Sequence, residues 1–163
     1  MSEGRVEGIF IASDFEAPLH EVPEVVATAG KGLEGDRYHR DTLPEDKRDE
    51  PGREITLIQA ESLERLAEET GIVLGPGESR RQVVTRGVEL LSLVGKRFMV
   101  GEVECIGVED NPACSHLQKL TQPGVLRGLA RSGGIRGDIL SGGTIRPGDT
   151  IREIPDSAPA DAA

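Results

Sequence analysis

The chain has 163 residues and a formal charge of −10, from 19 Lys and Arg against 29 Asp and Glu. Apolar residues make up 36% and aromatics 2%, with 21 Gly, 10 Pro, 2 Cys and no Trp. That length suits one domain with one core, built here from Val, Ile, Leu and Ala. No apolar run reaches the roughly 18 residues of a transmembrane helix, so no membrane partner is expected. The acidic balance argues against broad nucleic-acid binding, which needs basic surface. Met1–Arg5 leads into a short apolar run without a basic leader, so a signal peptide is not expected. Two thiols in such a chain read as reduced and cytoplasmic rather than as a disulfide framework.

Strand-like runs dominate. Arg5–Ala12 is the first, with Val6, Ile9 and Ile11 as apolar members. Val22–Ala29 is the second, and Pro23 puts it at an edge or a strand start. Gly30-Lys31-Gly32-Leu33-Glu34-Gly35-Asp36-Arg37-Tyr38 follows; its glycines suit a compact turn or close backbone approach. His39–Arg53 is almost all charged residues, Pro and Gly, and reads as a surface loop. Glu54–Ile58 is a strand that runs straight into a helix over Ala60–Thr70. In that helix Ala60, Leu63, Leu66 and Ala67 recur at helical spacing, and Gly71 caps the end.

Gln82–Thr85 and Leu93–Val100 are strands, and Val103–Val108 returns through a Gly101-Glu102 hairpin turn. Asp110–Thr121 is irregular, and a second helix starts near Pro123 and stops at Gly133-Gly134. Ile135–Leu140, Gly143–Ile145 and Thr150–Ile154 complete the strands, and residues 155–163 form a flexible polar tail. Residues 4–154 are thus one mostly β domain with two or three inserted helices. A closed barrel or a sandwich would hide so many short edges.

The two cysteines differ. Cys105 sits inside a strand on the same face as Val103 and reads as a small core residue. Cys114 lies in Asn111-Pro112-Ala113-Cys114-Ser115-His116-Leu117, after a strand has ended. A loop thiol beside an imidazole suits a nucleophile or soft-metal ligand, although a Cys near a His is not specific. His20, His39 and His116 are scattered and no Cys-x-x-Cys occurs, which disfavours structural zinc. Arg37, Arg80, Arg81, Arg86 and Arg136 stand at element ends near Gly. There a guanidinium can grip phosphate or carboxylate, or serve a local ion pair. Asp36 and Asp138 suit acid–base work or turn capping.

Taken in order, these segments resemble the MOSC domain, named from the C-terminal domain of molybdenum-cofactor sulfurase. The matching stretches are Gly30–Tyr38, Glu54–Ile58, Arg80–Val88, Leu93–Phe98, Cys114–Leu117, Gly134–Leu140, Gly142–Ile145 and Gly148-Asp149. The chain looks like a small stand-alone bacterial-type member. The resemblance implies a β-barrel and a signature cysteine, here Cys114, that ligates molybdenum in a bound molybdopterin or carries a persulfide. It implies an oxidoreductase acting on an N-oxygenated small molecule; a sulfur carrier or a non-enzymatic cofactor-binding module is the alternative. Pyridoxal phosphate is not expected.

Lys31, Gly35, Asp36, Arg37, Arg81, Gln82, Thr85, Arg86, Arg136 and Asp138 are the residues the resemblance offers for holding the anionic cofactor. Cys114 and His116 are offered for catalysis. Gln82 stands where the family usually has Asn, and Ala113 where it usually has Pro. No electron-carrier motif is present, so electrons or sulfur would come from a separate protein.

Overall fold

The computed structural model describes residues 3–75, 77–112, 117–118, 121, 123–125, 129 and 133–155. Eleven strands are found among them: β1 (Glu3–Ile11), β2 (His20–Glu21), β3 (Val25–Thr28), β4 (Gly32–Leu33), β5 (Ile55–Gln59), β6 (Val83–Arg86), β7 (Arg97–Val100), β8 (Val103–Asp110), β9 (Ile135–Ser141), β10 (Gly143–Ile145) and β11 (Thr150–Glu153). Seven close into a barrel in the order β11-β7-β8-β9-β5-β6-β1, and β1 completes the ring by pairing with β11. β2 extends β1, while β10, β3 and β4 form a separate three-stranded sheet. The expected β-rich barrel is therefore the fold.

One α-helix, α1 (Ala60–Thr70), stands among the described residues beside two 3-10 turns, Glu45–Lys47 and Leu90–Leu93. The sequence predicts two or three inserted helices, but the one from Pro123 falls largely outside the described residues. β5 and β6 are the barrel's parallel pair, and α1 forms part of the crossover that a parallel pair requires. Gly71 ends α1 at φ 77°, and its N–H donates to the Ala67 carbonyl at 2.9 Å. The strand expected from Leu93 begins instead at Arg97. Leu93 closes a 3-10 turn and Gly95, at φ 81°, turns the chain first.

Strand alternation decides what lies inside. Ile55 and Leu57, Val83, Val103 and Cys105, Ile135 and Ile139, and Ile151 face the interior, where all are buried. Phe98 is the largest side chain wholly enclosed there. The three-stranded sheet adds Val25, Ala27, Leu33 and Ile145 to the same core. α1 covers part of the barrel exterior, where Phe10, Ile58, Ala60 and Val84 cluster with Leu63. Its Leu66 packs with Leu74, Leu117, Val125 and Leu129. No helix among the described residues is long and apolar enough to cross a membrane.

Candidate functional site

The outward positions of the barrel carry a polar row. Thr56 on β5 stands opposite Arg136 on β9, and Arg136 stands opposite Glu109 on β8. Gln82, just before β6, extends the row, with its N–H donating to Thr56 Oγ1 at 2.9 Å. Gln82 and Thr56 are both buried. Buried polar groups need partners, and here they have them. Asp36 is buried and accepts four hydrogen bonds. Its Oδ1 takes Ala12 N–H (3.2 Å) and Arg37 Nη1 (2.9 Å), and its Oδ2 takes Tyr38 N–H (3.0 Å) and Gln82 Nε2 (2.6 Å). The other end of the Gln82 amide accepts Thr56 N–H at 2.8 Å.

Beside this hub lies a narrow cleft of about 20 Å³ lined by Tyr38, Gly52, Arg53, Thr56, Asn111 and Arg136. That is room for one water-sized group. Arg136 Nη2 donates to Asn111 Oδ1 at 2.9 Å, and its Nη1 lies 3.9 Å from Glu109. Its Nε is buried and has no hydrogen-bond partner among the described residues. Gly52, at φ 78°, permits the approach. A Cβ there would come within 3.3 Å of the Arg136 side chain and of Val108. Asn111 is the last described residue but one before Cys114. Its N–H donates to the Gly134 carbonyl at 2.7 Å, so the two ends of the intervening chain lie side by side.

The remaining sequence-predicted residues sit as follows. Arg37 is buried, bonded to Asp36 and to the Arg80 carbonyl (3.0 Å), and stacks 4.5 Å from the Tyr38 ring centre. Arg81 is buried and donates to the carbonyls of Ser79, Asn111 and Gly133. Thr85 Oγ1 donates to the Ile58 carbonyl at 3.3 Å. Asp138 accepts from Gly52 N–H (2.9 Å) and Arg40 Nη2 (3.3 Å). Lys31 bonds Asp41 at 2.6 Å on exposed surface.

Gly35 and Asp36 line a wider hollow of about 390 Å³ with Ser13, His39 and Thr42. Arg86 stands on a different face, between Glu64 of α1 and Glu7 of β1, and both raise its pKa above the usual arginine value. The structure thus gathers Asp36, Arg37, Gln82, Arg81, Arg136 and Asp138 around one end of β5, β6, β8 and β9. It keeps Arg86 apart. Cys114 and His116 lie outside the described residues. Among the described residues no group of three His, Cys, Asp or Glu side chains could hold a metal ion.

Cys105 is fully buried, and burial, followed by the charge of Glu54, pushes its thiol pKa far up. It is the core residue that its strand position predicts. Tyr38, Gly52, Arg53, Thr56 and Asn111 are absent from the sequence-derived candidates. Thr56 did leave a signal, as a polar residue in the apolar run Ile55–Ile58. Asn111 left a weaker one, at a strand end before Pro112. Arg80 has φ 61°, rare for a non-glycine residue. Its guanidinium donates to the Ala17 and Phe15 carbonyls, each at 2.8 Å.

The family model described as MOSC domain matches residues 44–152, more than half of the chain. The fold is similar to that of the YuaD protein from Bacillus subtilis, with a TM-score of 0.71 at 18% identity over 93% of this chain and 97% of that one. It is similar to YiiM from Geobacillus stearothermophilus, with a TM-score of 0.70 at 14% identity over 96% and 78%. YiiM from Escherichia coli gives 0.64 at 14% identity over 94% and 71%. At these identities the structural likeness is one of fold. A search of curated proteins finds no match. The barrel agrees with the family-model match, and the chain belongs to the MOSC domain family.

Proposed function

We propose that this protein binds the molybdenum cofactor and reduces an N-oxygenated small molecule, with the Cys114 thiolate as the molybdenum ligand. The family is associated with molybdenum-cofactor binding, which supports the reading. The observation that carries it in this chain is the buried Nε of Arg136, which has no hydrogen-bond partner among the described residues, in a cleft whose Asn111 lies three residues before Cys114. A phosphorylated pterin needs a cation with a free donor, and a molybdenum dithiolene centre needs a soft sulfur ligand. Arg136 and Cys114 are the two matching groups, so the donor set fits.

The narrow cleft suits a single anionic oxygen, which Arg136 would hold while Asn111 keeps its guanidinium oriented. The Asp36–Gln82–Thr56 hub supports the Thr56 wall of that cleft from behind. When bound, the cofactor supplies two-electron redox chemistry. Reducing an N–OH group to N–H consumes two electrons and two protons and releases water. His116, two residues from the thiol, is the group placed by sequence to deliver a proton. The electrons come from a separate donor protein.

The test is metal and pterin analysis of protein expressed in a host that makes the cofactor. Molybdenum with pterin is expected, and Arg136→Gln should lower the pterin content several-fold while leaving the fold intact. Cyanide-releasable sulfur on Cys114 with no metal would place the chain with sulfur carriers instead. Absence of molybdenum, pterin and persulfide together would refute both.

A further inference from the structure

We propose that Arg81 is a positioning residue that closes the neck of chain 111–134, the stretch carrying Cys114 and His116. The importance of that stretch rests on the function proposed above; the neck itself does not. Arg81 is 6% exposed. Its Nη2 donates to the Asn111 carbonyl at 2.6 Å and its Nε to the Gly133 carbonyl at 2.8 Å. One guanidinium therefore bonds a backbone carbonyl at each end of the stretch. Nη1 reaches the Ser79 carbonyl at 3.2 Å and fixes the fork to its own loop. Two further described hydrogen bonds cross the neck: Asn111 N–H to the Gly134 carbonyl at 2.7 Å, and Arg136 Nη2 to Asn111 Oδ1 at 2.9 Å.

The residue type follows from this task. Two carbonyls in different directions need a rigid planar fork with several donors, which arginine has and lysine lacks. The backbone before Arg81 serves the same end. At φ 61° Arg80 turns the chain, so that Arg80 binds the 15–17 loop while its neighbour binds the neck. Gly134, at φ 99°, cannot be replaced at the far side of the neck, because a Cβ there would collide with the Leu57 carbonyl. Farther along the stretch Leu117, Val125 and Leu129 pack against Leu66 and Leu74. Leu117, Val125 and Leu129 thus have an apolar anchor of their own, and Arg81 holds Asn111 against Gly133.

The test needs no cofactor, so it stands or falls separately from the proposed function. Lys119, Arg127 and Arg131 give trypsin three sites inside the stretch. Limited proteolysis of Arg81→Met, mapped by mass spectrometry, should show cleavage at these sites rising about tenfold over cleavage elsewhere. Arg81→Lys, which keeps the charge but not the fork, should give the same selectivity to a lesser degree. The rate of Cys114 alkylation should change with it. A role in stability alone would raise cleavage across the whole chain, and that uniform pattern would overturn the proposal. Hydrogen exchange of the wild-type chain provides a check independent of how the variants fold. The Asn111 amide should be as protected as those of β8 and β9, and fast exchange there would equally overturn it.

Discussion

Replacing Asp36 by Ala should destabilise the protein more than any change at an exposed charge. The reason lies in what the carboxylate satisfies. Its side chain is 0% exposed and that of Arg37 is 3%, with 2.9 Å between Asp36 Oδ1 and Arg37 Nη1. Removal leaves Arg37 a buried cation whose remaining described partners are the Arg80 carbonyl and the Tyr38 ring. It also strips partners from the Ala12 and Tyr38 amides and from Gln82. Breaking a buried pair from one side costs about 3–5 kcal/mol. For a chain of this length that is a fall in Tm of roughly 6–20 °C.

Urea unfolding should show a lower midpoint with an unchanged slope. The double variant Asp36→Ala/Arg37→Met should recover part of the loss, because no unpaired charge is then buried. Recovery stops short of complete, since the Arg80 carbonyl loses its donor. Asp41→Ala, which removes the exposed partner of Lys31, should give no resolvable change. A double variant no more stable than Asp36→Ala alone would refute the reasoning.

Other outcomes follow from single features. Arg80→Gly relieves a positive-φ strain of about 1 kcal/mol but removes two charged donors to carbonyls, so stability should fall by ~1–2 kcal/mol in chemical denaturation. A more stable glycine variant would show that strain, not bonding, dominates at this turn. Cys105 ties stability to alkaline pH. Its folded pKa is raised, so it supports folding fully below the unfolded thiol value of about 8.5 and loses that support as pH rises toward the folded value. Stability measured against pH should therefore decline above about 8.5. Cys105→Ala should flatten that decline, and an unchanged slope would count against the burial of this thiol.

How far the sequence was legible varied with how local the cause was. α1 was readable to the residue, because apolar spacing and Gly71 lie within one stretch of chain. β2 and β4 were not, because two-residue strands are defined by partners across the sheet rather than by their own composition. The charged run 39–53 reads as a surface loop, yet Leu43 within it is buried and Arg40 reaches Glu54 and Asp138. Nothing local announces a partner 98 positions away.

The arginines teach the same lesson at the candidate site. A guanidinium grips a carbonyl as readily as a phosphate, and at Arg37 and Arg81 the described acceptors are the protein's own oxygens. Among the described arginines, Arg136 alone has a buried nitrogen without a hydrogen-bond partner, and it lines the narrow cleft. The Gln82 amide spans Asp36 and the Thr56 N–H, so this side chain fills a structural bridge.

The central claim is that Cys114 holds molybdenum. The most direct measurement is the molybdenum content per chain of protein purified from a cofactor-producing host, for wild type, Cys114→Ala and Cys105→Ala. Metal is expected in wild type and Cys105→Ala and none in Cys114→Ala. Equal molybdenum in all three, or none in any, would contradict it.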